Sequence, residues 1–179
     1  IKNQLNKDVN LIKKLYSSQG FKFANIETKV RKIDENNYDI AFEIDKGNLT
    51  KIKKIFFSGD KKVKEKRLRD IIASEEDKFW KVISNNSKFN EGQISLDKRL
   101  LVNYYKNLGY YDVEVSSTSA EILDSSNVNL YYSINAGNRF TFEKIETIVD
   151  STFDKKIFYP LNRSYQKIIG EYYSPLKIK

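Results

Sequence analysis

The sequence predicts an α+β protein built from tandem β-α-α-β-β units, each a small three-stranded mixed sheet covered on one face by two antiparallel helices. Two observations lead there. The first is an internal echo. Leu11-Ile12-Lys13-Lys14-Leu15-Tyr16, ahead of Gly20-Phe21, returns as Leu100-Leu101-Val102-Asn103-Tyr104-Tyr105, ahead of Gly109-Tyr110, a shift of 89 residues. After one extra residue the echo resumes, with Ile40, Phe42, Ile44 and Gly47 matching Leu130, Tyr132, Ile134 and Gly137 at a shift of 90. The second observation is that apolar spacing changes from helical to alternating at the same place in both copies.

Each element follows in order. Leu5, Val9, Ile12 and Tyr16 recur at helical spacing, and Gly20 stands where a left-handed cap ends a helix without Cβ strain. Ala24, Ile26, Thr28 and Val30 then alternate, and the polar Asp34–Asn37 turn leads into Tyr38, Ile40, Phe42 and Ile44, a strand with one buried face. Ile52, Ile55 and Phe57 predict a further strand ending in a Gly59-Asp60 turn, followed by a helix with Val63, Leu68, Ile71 and Ile72. Ser74 to Phe89 reads as a polar loop pinned by Phe79-Trp80 and Val82-Ile83, with Glu75-Glu76-Asp77 a solvated cluster. Asn90-Glu91-Gly92-Gln93 suits a helix cap, Gln93 being placed for a capping box. A second helix follows with Leu100, Leu101, Tyr104, Tyr105 and Leu108, ending at Gly109. Val113 and Val115, the turn Asp124–Asn127, and Val128, Leu130, Tyr132 and Ile134 complete the second hairpin. From Phe140 a strand and a helical stretch are expected, and Ser174-Pro175 reads as a helix start. The partition is thus 1–47, the α-β-β back of one unit; 48–137, a complete unit; and 138–179, the front of a third. The short links after Gly47 and Gly137 predict units strung as a bent rod.

Composition narrows the function. The 179 residues carry a formal net charge of +8 and a pI near 9.4, but Lys and Arg are interleaved with 24 acids, which describes a solvated basic surface better than a nucleic-acid patch. With no Cys and no His there is no thiolate or imidazole chemistry, no disulfide and no ordinary transition-metal site, so no cofactor or metal is expected and no catalytic residue is assigned. No apolar stretch is long enough for a membrane helix. The sequence starts at Ile1-Lys2-Asn3-Gln4 without a leader or a Met, and both ends read as cuts in a longer protein.

The ordered pattern Tyr-x-x-x-Gly-Phe/Tyr, alternating strand, turn, alternating strand closing in Gly, then Ile-x-x-Ile-x-Phe-x-Gly-Asp, resembles the polypeptide-transport-associated (POTRA) repeat of BamA-type outer-membrane-protein assembly factors. The middle unit resembles the third such domain, through Phe79-Trp80-Lys81-Val82-Ile83 ahead of Asp97 to Tyr105; the flanks would be parts of the second and fourth. The third unit departs from the pattern, with Thr147-Ile148-Val149-Asp150 where the middle one has Phe57-Ser58-Gly59-Asp60.

The resemblance implies a non-enzymatic scaffold on the periplasmic face of the bacterial outer membrane, anchored by a C-terminal β-barrel. It would receive unfolded outer membrane proteins and dock accessory lipoproteins. Its means would be strand addition along the strand after the second helix, here Val113, Glu114, Val115, Ser116, Ser117, Thr118 and Ser119. Neither Pro nor Lys, the usual guards of an open edge, occurs between Asp112 and Ala120. A covered edge would look the same. The alternatives are a nucleic-acid-binding tandem of αββ units using the basic surface, a hydrolase lacking any visible acid–base pair, and a spacer without clients. Tyr104, Tyr105 and Tyr132 share faces with Leu and Ile and so are expected in the core; the aromatics as a whole are expected on the core side, alternating with Asp39 or Asn129. Trp80 is expected as a local core anchor.

Overall fold

The computed structural model describes residues 2–35, 37–78 and 85–178. The Phe79-Trp80 and Val82-Ile83 anchors lie outside the described residues. The elements run α1 (Lys2–Ser18), β1 (Asn25–Lys32), β2 (Tyr38–Asp45), β3 (Lys51–Asp60), α2 (Glu65–Ile71), α3 (Glu91–Asn107), β4 (Glu114–Asp124), β5 (Asn127–Asn135) and α4 (Tyr159–Gln166).

The middle stretch is the complete β-α-α-β-β arrangement. Its sheet has the order β3-β5-β4, with β3 parallel and β4 antiparallel to the central β5. The alternation of Val128, Leu130, Tyr132 and Ile134 puts all four on one face of β5, each at most 3% exposed. Ile52, Ile55 and Phe57 of β3 extend that face, and Leu68 of α2 with Leu101 and Tyr105 of α3 cover it. Arg67 near the start of α2 meets the Tyr104 hydroxyl late in α3, while Ala73 beyond the end of α2 donates to Asp97 early in α3, so the two helices run antiparallel. Asp97 is fully buried, and both its oxygens are hydrogen-bonded. It accepts from the backbone N–H groups of Ala73 and Ser74 and from the Tyr132 hydroxyl at 2.6 Å, tying the exit of α2 to both α3 and β5. Burial, with the Asp97 carboxylate beside it, pushes the Tyr132 hydroxyl well above the ordinary tyrosine range.

Several local expectations are corrected. Gly59-Asp60 is not a turn: β3 runs through Asp60, and Gly59 pairs with Ile134 in the ladder. Its φ is +82°, and a Cβ there would lie 2.4 Å from the Ile134 carbonyl oxygen, which explains the glycine. The capping box at α3 is half made: Asn90 accepts from Gln93 N–H, but the Gln93 amide donates to the carbonyls of Ala73 and Asn86 instead of returning to Asn90. In the first hairpin the apolar face of β2 is largely uncovered, with Tyr38, Ile40 and Ile44 each more than 40% exposed. A two-stranded sheet under the single helix α1 offers too little surface to bury them. From Phe140 no strand forms among the described residues; only an isolated bridge joins Thr141 to Tyr172. A strand there has no parallel partner of the kind β5 gives β3. Ser174 does cap a start, accepting from Leu176 N–H, though the turn it opens, Pro175–Lys177, is a short 3-10 piece.

The two passages between successive stretches are built alike. After α1, Gly20 (φ +95°) accepts from Thr50 N–H, and Thr50 in turn accepts from Phe89 N–H. After α3, Gly109 (φ +100°) accepts from Phe140 N–H, and Phe140 accepts from Tyr173 N–H. The antiparallel bridge Lys51–Lys88 has its counterpart in Thr141–Tyr172. Asn90 bonding to the Ser18 carbonyl corresponds to Ser174 bonding to the Asn107 side chain.

Candidate strand-addition edge

Because β5 is central, the sheet has two edges, β3 and β4. β4 holds the segment that the resemblance implied for strand addition, which lacks Pro and Lys. Val113 lies just before the strand, buried in the core, and Val115 is packed against the same core, while Glu114 and Ser116 are exposed. Glu114 to Thr118 pair residue for residue with Asn135 to Tyr131. The register then shifts between Thr118 and Glu121, so Ser119 stands at a bulge, and a second shift follows Ile122. The regular edge is therefore Glu114 to Thr118, shorter at both ends than Val113 to Ser119. Among the described residues no strand lies on the outer side of β4.

Beyond the bulge, Glu121 reaches back across the sheet and accepts from the Tyr131 hydroxyl at 2.6 Å and the Asn129 amide at 2.9 Å. The Tyr131 hydroxyl first, then the Asn129 amide, holds the Glu121 carboxyl below the usual range. These bonds fasten the irregular half of β4 to the central strand. Tyr131 corrects the expectation that aromatics keep to the core side. With Asn129 it faces away from the helices, and its ring stacks on Phe56 at 4.9 Å, so one face of each ring is taken by the other. Tyr104, Tyr105 and Tyr132 are on the core side.

The β3 edge is met at four residues along its length, Ile52, Ile55, Phe57 and Gly59. Ile52 carbonyl accepts from Asp77 N–H, Phe57 carbonyl from the Lys61 ammonium, and Gly59 carbonyl from Lys61 N–H. Ile55 donates to Glu76 Oε1 and accepts from Arg69 Nη2, and those two side chains form an ion pair at 2.6 Å. Asp77 meets both Lys51 and Lys53 at 3.2 Å. Burial pushes its carboxyl up, but the hydrogen bonds from Lys53 and Lys51 and their charges outweigh burial and leave it below the usual carboxylate range. The cluster read as solvated thus seals an edge. The signal was faint: Lys51 and Lys53 hint at an acidic neighbour, but nothing local links Arg69 to Glu76 across the exit of α2.

Among the described residues no group of three or more acidic side chains could hold a metal ion, and no helix is long and apolar enough to cross a membrane.

Comparison with known proteins agrees with this architecture. The family model described as "POTRA: Surface antigen variable number repeat" matches residues 2–47 and 50–137. The outer membrane protein assembly factor BamA of Neisseria meningitidis serogroup B is 28% identical over 142 residues, which is 79% of this chain and 18% of that protein. BamA of Neorickettsia risticii is 22% identical over 146 residues, covering 82% of this chain and 20% of that protein. This chain therefore spans about a fifth of the curated relatives it matches. In fold it is similar to the crystal structure of Haemophilus influenzae BamA POTRA3-5, with a TM-score of 0.57, 16% identity, and coverage of 98% of this chain and 65% of that one. A repeated α-β-β pattern, a β3-β5-β4 mixed sheet under two antiparallel helices, and a family match to both hairpins lead to one assignment: the chain belongs to the POTRA family, with repeats of the kind found in BamA-type assembly factors.

Proposed function

We propose that this chain is part of the periplasmic scaffold of an outer membrane β-barrel assembly machine, and that it binds extended segments of unfolded outer membrane proteins by strand addition to β4. The supporting observation is the contrast between the sheet's two edges: β3 has outward backbone groups taken at Ile52, Ile55, Phe57 and Gly59, whereas among the described residues no strand lies outside β4, which carries neither Pro nor Lys from Glu114 to Ala120. Backbone pairing tolerates varied side chains, which suits a receiver of many clients, and a regular run of only five residues before the bulge keeps each encounter weak. Val113 and Val115 serve stability through the core, while the backbone of the same segment serves binding. Within this reading, residues 1–47 and 138–179 are parts of flanking units, accessory lipoproteins dock on the same scaffold, a C-terminal β-barrel holds the full-length protein in the outer membrane, and the chain has no catalytic role.

The test is an NMR titration with an alternating, outer-membrane-type peptide. Amide shifts are expected along Glu114 to Thr118. Ser117→Pro removes a donor and obstructs the ladder, and is expected to weaken binding out of proportion to any loss of stability measured separately by urea. Shifts confined to the helices, or a folded Pro variant that binds as well as wild type, would overturn the proposal.

A further inference from the structure

At Ile55 side chains close β3 on both the donor and the acceptor of one residue. In a parallel strand the N–H and C=O of one residue point to the same side, and at Ile55 both point away from β5. A neighbouring strand would satisfy them with two backbone groups. Here Glu76 Oε1 accepts from Ile55 N–H at 3.0 Å, Arg69 Nη2 donates to Ile55 carbonyl at 2.5 Å, and Arg69 Nη1 closes the ring on Glu76 at 2.6 Å. The carboxylate and guanidinium reproduce the acceptor and donor of an absent strand. Each bond is charge-assisted and so competes well with a neutral peptide group for the same place. The guanidinium also lies over the Phe57 ring, 5.6 Å from its centroid, which fixes its approach.

We propose that the Arg69–Glu76 pair is a side-chain plug that denies β3 to incoming strands and thereby sets which edge of the sheet accepts one. The choice of β4 as the accepting edge rests on the strand-addition reading above; the closure of β3 does not. Lys61 and Asp77 guard the ends of β3 through Phe57 and Ile52, and Ile55 is the point between them where a strand would nucleate pairing. The plug is sequence-encoded in α2 and in the loop after it, so it forms only once α2 has docked beside β3. An unfolded or half-folded unit would present two open edges, a folded one a single edge.

Two variants of the chain test this, Arg69→Ala/Glu76→Ala and Glu76→Ala alone, with folding checked by far-UV circular dichroism and the amide spectrum. In the double variant, the same peptide is expected to shift amides of Ile52 to Phe57, which stay unshifted in wild type. Sedimentation velocity is expected to show concentration-dependent self-association through the opened edge. In Glu76→Ala, which leaves Arg69 in place, Ile55 N–H loses its acceptor and is expected to exchange with solvent about tenfold faster or more, the effect of losing one hydrogen bond to a charged group. A folded double variant that stays monomeric with β3 amides unshifted overturns the plug. So does unchanged Ile55 exchange in Glu76→Ala, which decides the matter if the double variant does not fold. Absence of β4 shifts in wild type would instead overturn the strand-addition reading, and self-association and exchange would still judge the plug by themselves.

Discussion

The hairpins β1–β2 and β4–β5 hold corresponding places in the repeat, yet they live in different surroundings. Leu130 of β5 is 3% exposed and its counterpart Ile40 of β2 is 45% exposed. Both strands alternate equally well, so alternation marks a face that can be buried, and a third strand with a second helix decides whether it is. The open sides differ too. β1 carries Lys29 and Arg31, paired across to Glu43 and Asp39, and Lys32 beyond them, and so has the cations that commonly guard an edge. β4 has no cation along its length. Two copies of one pattern have thus diverged, one toward a guarded edge and one toward a plain edge.

The largest effect that would break this comparison is at the matched core pair. Leu130→Ala is expected to destabilise by about 2–5 kcal/mol in urea unfolding, whereas Ile40→Ala is expected to cost about 1 kcal/mol or less. Equal costs would show that β2 is covered in solution after all. Next come the two helix-ending glycines. Gly20→Ala and Gly109→Ala each force a positive φ on a residue with a Cβ, at a cost of about 1 kcal/mol or more. Gly109→Ala should cost more, since its Cβ would meet the Phe140 carbonyl oxygen at 3.3 Å, while that of Gly20 meets the movable tip of Leu49 at 3.2 Å.

A third comparison uses pH. Tyr132 occupies the place that Phe42 holds in β2, and its hydroxyl is raised by burial and by Asp97. A group that keeps its proton when folded and sheds it when unfolded contributes stability fully present below the unfolded value of about 10, which is lost as pH rises above it. The urea midpoint of the chain is therefore expected to fall between pH 9 and 11, and the fall should be shallower in Tyr132→Phe, which copies the first hairpin and leaves the Tyr105 hydroxyl, also raised by burial, to carry the rest. An unchanged slope would mean that another group carries the loss. The smallest effect is on the surface of the first hairpin: Lys29→Ala, removing an exposed pair with Glu43, is expected to change stability by less than about 1 kcal/mol and to lose even that in high salt.

Much of this was legible because it is periodic. The 3.6-residue and 2-residue spacings around Leu101, Tyr105, Leu130 and Tyr132 carried the helices, strands and core face, and the echo between Gly20 and Gly109 carried the repeat. What was not legible depends on who sits next to whom. Nothing in Tyr38 to Ile44 says that covering surface is missing, and nothing in Phe140 to Val149 says that a parallel partner is. Asp97 looked like any helical carboxylate until α2, α3 and Tyr132 converged on it. The resemblance to the POTRA repeat implied an edge at Val113 to Ser119, but its bulge after Thr118 is a matter of register that residue types did not announce. Arg69 and Glu76 meet only because α2 turns back beside β3.

The duplicated passage at Gly20 and Gly109 has a consequence for how such repeats can vary. Phe89 follows Thr50 by 39 residues, but Tyr173 follows Phe140 by only 33, and the same backbone bonds form at both ends of each interval. Six residues can therefore come or go between the fastened points without disturbing the joints. Insertions, deletions and new surface loops are free to accumulate between the fastened points, while the backbone bonds that join one stretch to the next are kept. The joint behaves as a standard coupling, and the span between couplings is where one member of the series can become different from its neighbours.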